Sequence, residues 1–147
     1  MGTSPALPIQ GAADSIQIFS GTGINASGNG STVNLPRPIS CIIFELDLTA
    51  IATLVGDTLD VVIQTQIDSQ LATPNWVDVV HFTQALGNGG AKRFFAKLVA
   101  PVAEAMFENG TALAAGSIRN ILGDVWRVKY TVGGSAVASF TVHARVL

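Results

Sequence analysis

Two alternating runs between Thr58 and Phe82 leave this chain few folds to choose from. In the first, Leu59, Val61, Ile63, Thr65 and Ile67 fall on one side, with Asp60, Gln64, Gln66 and Asp68 on the other. A period of two sends successive side chains to opposite faces of a sheet, so the run predicts a half-buried strand. The second run, Trp76 to Phe82, is short and rich in β-branched and aromatic residues. Thr73, Pro74 and Asn75 punctuate the connection, and the pair is expected to form a β-hairpin with a longer loop.

The same alternation recurs on both sides. Ile42, Phe44, Leu46 and Leu48 alternate with Ile43, Glu45, Asp47 and Thr49. Phe94, Ala96 and Leu98 oppose Arg93, Phe95 and Lys97. Trp126, Val128, Tyr130 and Val132 alternate with Val125, Arg127, Lys129 and Thr131. After Gly133-Gly134-Ser135, Ala138, Phe140, Val142, Ala144 and Val146 continue the pattern to the end of the chain. These last two runs read as a second hairpin with one apolar and one polar face. Residues 100–115 are ambiguous. Pro101 suits a first helical position and Ala103 to Met106 favour helix, but the letters equally allow a strand ending at Asn109-Gly110, and flanking β structure favours strand or irregular chain. The fold expected is all-β, a β-sandwich or jelly roll of about seven to eight antiparallel strands, because two sheets closed face to face bury each other's apolar sides.

Residues 1–38 read differently. They are rich in Gly, Ser, Thr, Asn and Pro, with one strand-like piece at Ser15 to Phe19. The expected division is an extended N-terminal arm over residues 1–38 and a sandwich over residues 39–147. An arm that orders against a partner would use its apolar residues, so Leu7, Ile9, Ile16, Ile18, Phe19 and Ile24 are the candidate interface residues.

Composition narrows the function. A chain of 147 residues makes one domain, and it is 48% hydrophobic but only 12% charged, about half the usual charged share. So little charge implies surface covered by another subunit or a partner. Net charge is −2 and the eight Lys and Arg residues form no basic stripe, so no nucleic-acid partner is expected. No apolar run is long enough to span a bilayer, and no membrane partner is expected. The N-terminus has no secretory pattern, and Ala6 occupies the place where a myristoylation signal needs Ser or Thr. Cys41 is the single cysteine and sits in an apolar run, where it reads as a small buried hydrophobe.

Catalytic and metal-binding patterns are absent from the letters. His81 and His143 lie within alternating runs, with no Cys or carboxylate at metal-ligand spacing. Neither H-E-x-x-H nor G-x-S-x-G occurs, and the Gly-rich pieces at Gly28 to Gly30 and Gly87 to Gly90 lack phosphate-loop spacing. Glu45 with Asp47, and Asp60 with Asp68, share strand faces, but nothing marks a cleft between them. A calcium site using Asp57 and Asp124 has no dense Asx loop behind it. The sequons at Asn25, Asn29 and Asn109 read as turn asparagines. Trp76 and Trp126 could stack on a sugar, though their clean alternation favours core anchoring. No enzyme, no cofactor and no metal is the expectation.

Several stretches carry a resemblance: Gly56-Asp57-Thr58-Leu59-Asp60-Val61 with Ile63-Gln64, then Trp76, Asp78, Phe82 and Thr83, then Trp126 through Gly134, and Ser139-Phe140-Thr141-Val142. In them the chain resembles small virion proteins of tailed bacteriophages, of the jelly-roll head cement or decoration type. The resemblance implies a structural protein made in the bacterial cytoplasm and placed on the capsid exterior. It implies the major capsid protein as partner and a homo-oligomer, dimer or trimer. A tail or baseplate protein and a carbohydrate-binding β-sandwich module are the alternatives.

Overall fold

The computed structural model describes residues 15–52, 54–70, 75–100, 102 and 106–147. Leu7 and Ile9 lie outside them, as do Pro101 and residues 103–105. Ten strands follow one another: β1 (Ser15–Ile24), β2 (Gly28–Asn29), β3 (Cys41–Ala52), β4 (Thr58–Gln66), β5 (Trp76–His81), β6 (Ala85–Leu86), β7 (Lys92–Val99), β8 (Ser117–Ile118), β9 (Val125–Gly133) and β10 (Val137–Val146). No helix forms among the described residues, and 106–116 is irregular chain with a turn at Asn109-Gly110.

The strands make two antiparallel sheets, ordered β1-β10-β3-β7 and β2-β9-β4-β5-β8, with β6 added against the start of β4. Setting aside β6 and β8, two of the three two-residue strands, eight strands remain. Successive strands change sheet at every connection except the β4–β5 hairpin. That is the jelly-roll order, in which Greek-key crossings wrap the chain around one core.

Alternation explains the packing. Ile42, Phe44, Leu46 and Leu48 of β3 and Ala138, Phe140, Val142 and Ala144 of β10 turn inward from one sheet. Leu59, Val61 and Ile63 of β4 with Trp126 and Val128 of β9 face them from the other. Phe44 and Trp126 meet across the gap at 5.7 Å between ring centroids. The expected β4–β5 hairpin forms, with one register shift between Ile63 and Gln64.

Three expectations are corrected. The first concerns the arm: β1 pairs with β10 from Ser15↔Arg145 to Ile24↔Ala138, so the sandwich begins at Ser15 and not at residue 39. Ile18 is buried, and Ile16, Phe19 and Ile24 pack against the core. A register shift between Gln17 and Phe19 lets both Ile18 and Phe19 reach inward. Phe19 then lies 5.0 Å from Phe140 and 5.2 Å from Tyr130, centroid to centroid. The second concerns the last two runs, which do not pair with each other. β9 lies between β2 and β4 while β10 lies between β1 and β3, so Gly133-Gly134-Ser135 carries the chain from one sheet to the other. The third concerns β4, whose polar side is also covered: Gln64 and Gln66 are as buried as its apolar neighbours.

Because Phe19 is a half-buried member of a three-ring cluster, Phe19→Ala should cost about 2–3 kcal/mol of unfolding free energy. Urea melts check this. A residue of an independent arm would leave the midpoint unchanged.

Candidate functional site

The end of the sandwich that carries the β3–β4, β5–β7 and β9–β10 turns is distinct in its chemistry. The turn residues 50–58, 83–91 and 133–137 contain one charged residue, Asp57. Its carboxylate is buried and spent on backbone. Oδ2 accepts the Leu54 N–H at 3.1 Å, and Oδ1 accepts the Ser135 N–H at 2.8 Å. The Ser135 hydroxyl donates to the same carboxylate, and the Asp57 carbonyl accepts the Gly87 N–H at 2.8 Å. One side chain thus fixes two turns, and its backbone fixes a third. Buried carboxylates are stable only when so paired.

Around this hub the surface is apolar. Leu54 is 71% exposed, Val55 80%, Leu86 51% and Val137 38%. Pairing places them together: Thr58 faces both Leu86 and Gly133, and Val137 faces Ala52. Large apolar side chains held outward among turns with no exposed charged residue are the mark of a surface suited to contact, here bordered by Lys92 beside Gly89. Sequence reading treated these turns as connections. The available signal was an apolar Leu54-Val55 pair in a turn whose single charged residue is Asp57.

The turn chemistry is exacting at one position. Gly134 has φ +68°, and a Cβ there would collide with Oδ1 of Asp57.

The outer face of the β2-β9-β4-β5 sheet carries a polar network under residues 106–121. Gln64 donates to Asp78 at 2.7 Å and accepts from Nε of Arg127 at 2.7 Å. Burial pulls the Arg127 guanidinium below its ordinary value, with the Asp78 charge opposing. The same guanidinium sits 4.2 Å above the Trp76 ring, and that of Arg119 sits 3.9 Å above Phe107. His81 is held by Asp60 at 2.8 Å and by the Leu113 carbonyl at 2.6 Å. Both partners occupy ring nitrogens, so neither nitrogen is left to act as a base toward Ser117, its register neighbour.

The remaining candidates from the letters are not brought together. Asp57 and Asp124 stand at opposite ends of β4, since Thr58 follows the first and the Gln66 carbonyl accepts the N–H of the second. Glu45 and Asp47 lie on an open sheet face, where Asp47 engages Arg93 at 3.4 Å. Asp60 binds His81 and Gln84, while Asp68 accepts the Gln70 N–H. His143 sits on β10 between Gln17 and Glu45, its Nδ1 buried without a hydrogen-bond partner in the described structure. Among the described residues no three His, Cys, Asp or Glu side chains converge as a metal centre requires. Trp126 is wholly buried, and the half-buried Trp76 has one ring face under Arg127.

The far end is pinned by Asp124. Its Oδ2 accepts the Ser69 N–H at 3.1 Å and its Oδ1 meets Arg37 at 3.2 Å. The Ser69 backbone donor, with help from the Ser69 hydroxyl and Arg37, holds the carboxyl below its ordinary 3.8 against the opposing effect of desolvation.

Compared with known proteins, the sequence matches no protein-family model and no curated protein.

Two predictions follow from the two ends. Gly134→Ala should cost about 3 kcal/mol, from a strained left-handed residue plus displaced Asp57 bonds. Gly90→Ala, with φ +75° but nothing within 4 Å of a new Cβ, should cost only about 1 kcal/mol. Paired denaturation curves compare them. A depressed carboxyl pKa gives stability that is present above the ordinary value and lost as pH falls through the folded one. Asp124→Asn should therefore melt below wild type at neutral pH, and the gap should close as pH falls below 3.8 through the lowered folded value.

Proposed function

We propose that this chain is a non-enzymatic cement or decoration protein of a bacteriophage capsid, docking on the major capsid protein lattice. The observation that carries the reading is the uncharged loop end, with Leu54, Val55, Leu86 and Val137 exposed on a jelly-roll frame. Support comes from the low overall charge and from the resemblance in the runs around Asp60, Trp76 and Trp126. A jelly roll also serves lectins and cupins, so the fold alone selects no function.

The mechanism on this reading is mechanical. A ligand that binds the finished shell but not its separated subunits stabilises the shell by mass action. Each apolar side chain fully buried on docking contributes about 1.5–3 kcal/mol before the costs of association. A homo-oligomer, dimer or trimer, would engage several lattice sites at once and multiply weak contacts through effective concentration. Because Asp57 already fixes the turns, little ordering entropy is lost on contact.

The deciding experiment is quantitative mass spectrometry of gradient-purified particles from the source. A copy number within a few-fold of the major capsid protein is expected. A trace ratio would point to a tail or baseplate part, and absence would remove the virion reading. On purified shells, Leu54→Asp with Val55→Asp should weaken binding at least about tenfold. Its melting temperature should stay near wild type, since both side chains already face solvent.

A further inference from the structure

Of the four sheet edges, three are guarded. β1 is interrupted by two register shifts, and β2 and β8 are two residues long. The fourth, β7, is eight residues long and pairs with β3 without a shift from Cys41↔Val99 to Leu48↔Lys92. Among the described residues no further strand pairs with its outer side.

The direction of its backbone groups follows from two bonds. The Ala100 N–H donates to Ser40, on the β3 side, whereas the Val99 N–H donates to Oδ1 of Asn120 at 3.0 Å, away from β3. In an antiparallel ladder, residues alternate in which neighbour they address. Lys97, Phe95 and Arg93 therefore turn their N–H and C=O groups to the open side. Asn120 closes the upper limit of that side at Val99, leaving five residues, 93–97, as a template.

Beside this edge runs a groove of about 500 Å³, with Phe94 to Lys97 on one wall and Val80 to Thr83 and Gly116 to Ile118 on the other. Phe82 and Phe94 lie within it, 6.5 Å apart, and Ile118 is 45% exposed. On the outward side of β7 stand Arg93, Phe95 and Lys97, with Phe95 65% exposed. Lys92, Arg93 and Lys97 are three of the chain's eight cationic side chains, gathered on one strand of a protein whose net charge is −2; Arg93 is shared with Asp47 of β3 at 3.4 Å, and Lys97 stands opposite the uncharged Ile43.

We propose that the open edge of β7 binds an extended acidic segment of another polypeptide as an added strand. Main-chain bonds to Arg93, Phe95 and Lys97 supply the pairing. Alternate side chains of the guest enter the groove against Phe82, Phe94 and Ile118, and the others lie beside Arg93, Phe95 and Lys97. Charge complementarity sets the guest pattern: an acid opposite Arg93, apolar residues opposite 94, 95 and 96, and an acid opposite Lys97. A second copy of β7 does not fit this pattern, because antiparallel self-pairing centred on Phe95 brings Arg93 against Lys97 of the copy. Like charges directly opposed destabilise such a pair. The site is separate from the apolar loop end, and it does not depend on the capsid reading.

The test uses the full chain with a capped peptide containing Glu-Val-Phe-Val-Glu and a control containing Lys-Val-Phe-Val-Lys. Amide hydrogen exchange, read by NMR, reports on each edge position. The acidic peptide should slow exchange at Arg93, Phe95 and Lys97 and leave Phe94 and Ala96, already bonded to β3, unchanged. Lys97→Glu should lower its affinity at least about tenfold. Phe95→Pro, which removes an edge donor but no bond to β3, should abolish binding while leaving the melt near wild type. Three results would overturn the proposal: no protection at those three amides, equal binding of the two peptides, or a dimer of the free chain that Phe95→Pro dissociates.

Discussion

The contact of Phe44 with Trp126 across the sandwich sets what the rest of the molecule can be. Each ring is fully buried on the inner face of its own sheet, one on β3 and the other on β9. Sheets facing one another at about 10 Å need large side chains to fill the gap, and these two meet near its centre. Once they do, the alternation in both strands fixes every neighbouring position. Ile42 and Leu46 follow Phe44 inward, Val128 follows Trp126, and the residues between them are sent out. A one-residue slip in either strand would turn its whole apolar set to water, so a single register is held by the entire inner face. The indole N–H has no hydrogen-bond partner in the described structure, so packing here outweighs the cost of one unpaired donor.

With the inner faces closed, the molecule differs from side to side in what remains. The outer face of the β4 sheet is roofed by residues 106–121, and the roof is held by Leu113, whose N–H donates to Asp78 and whose carbonyl meets His81, and by Arg119, which donates to the Asp78 carbonyl. Such a network is stable only if satisfied throughout, and it leaves few polar groups for outside partners. Among the described residues the outer face of the β3 sheet has no such cover, and Glu45, Asp47, Arg93 and Lys97 stand on it. Among the described residues, the end around Leu54 and the β7 side are two places where a partner meets uncovered surface, alongside single exposed side chains such as Ile67 and Met106.

How much of this the letters carried depends on whether a feature is local. Strand runs with strict alternation, β3, β4, β7, β9 and β10, were legible because the period reports burial directly. β1 was not, because its inward residues Ile18 and Phe19 are adjacent and only a register shift brings both to the core. The partners of β9 and β10 were hidden for another reason. A short glycine turn joins strands of one sheet or of two equally well, and the alternation is the same in either case. Burial of Gln64 and Gln66 was hidden too, since it depends on chain some forty to sixty residues away. The loop end was legible only as an absence of charge. The open edge of β7 was not legible at all, because an unpaired side is a property of topology.

The two exposed features differ in what they ask of a partner. The loop end presents side chains, with its backbone already bonded through Asp57, so a partner there needs shape and apolar surface. The β7 edge presents backbone, with cations beside it, so a partner there needs an extended conformation and acidic residues. The first contact strengthens with buried area and is nearly indifferent to salt, whereas the second weakens as salt screens Arg93 and Lys97. A protein carrying only 12% charged residues yet concentrating three cations on its one unguarded edge separates these demands in space.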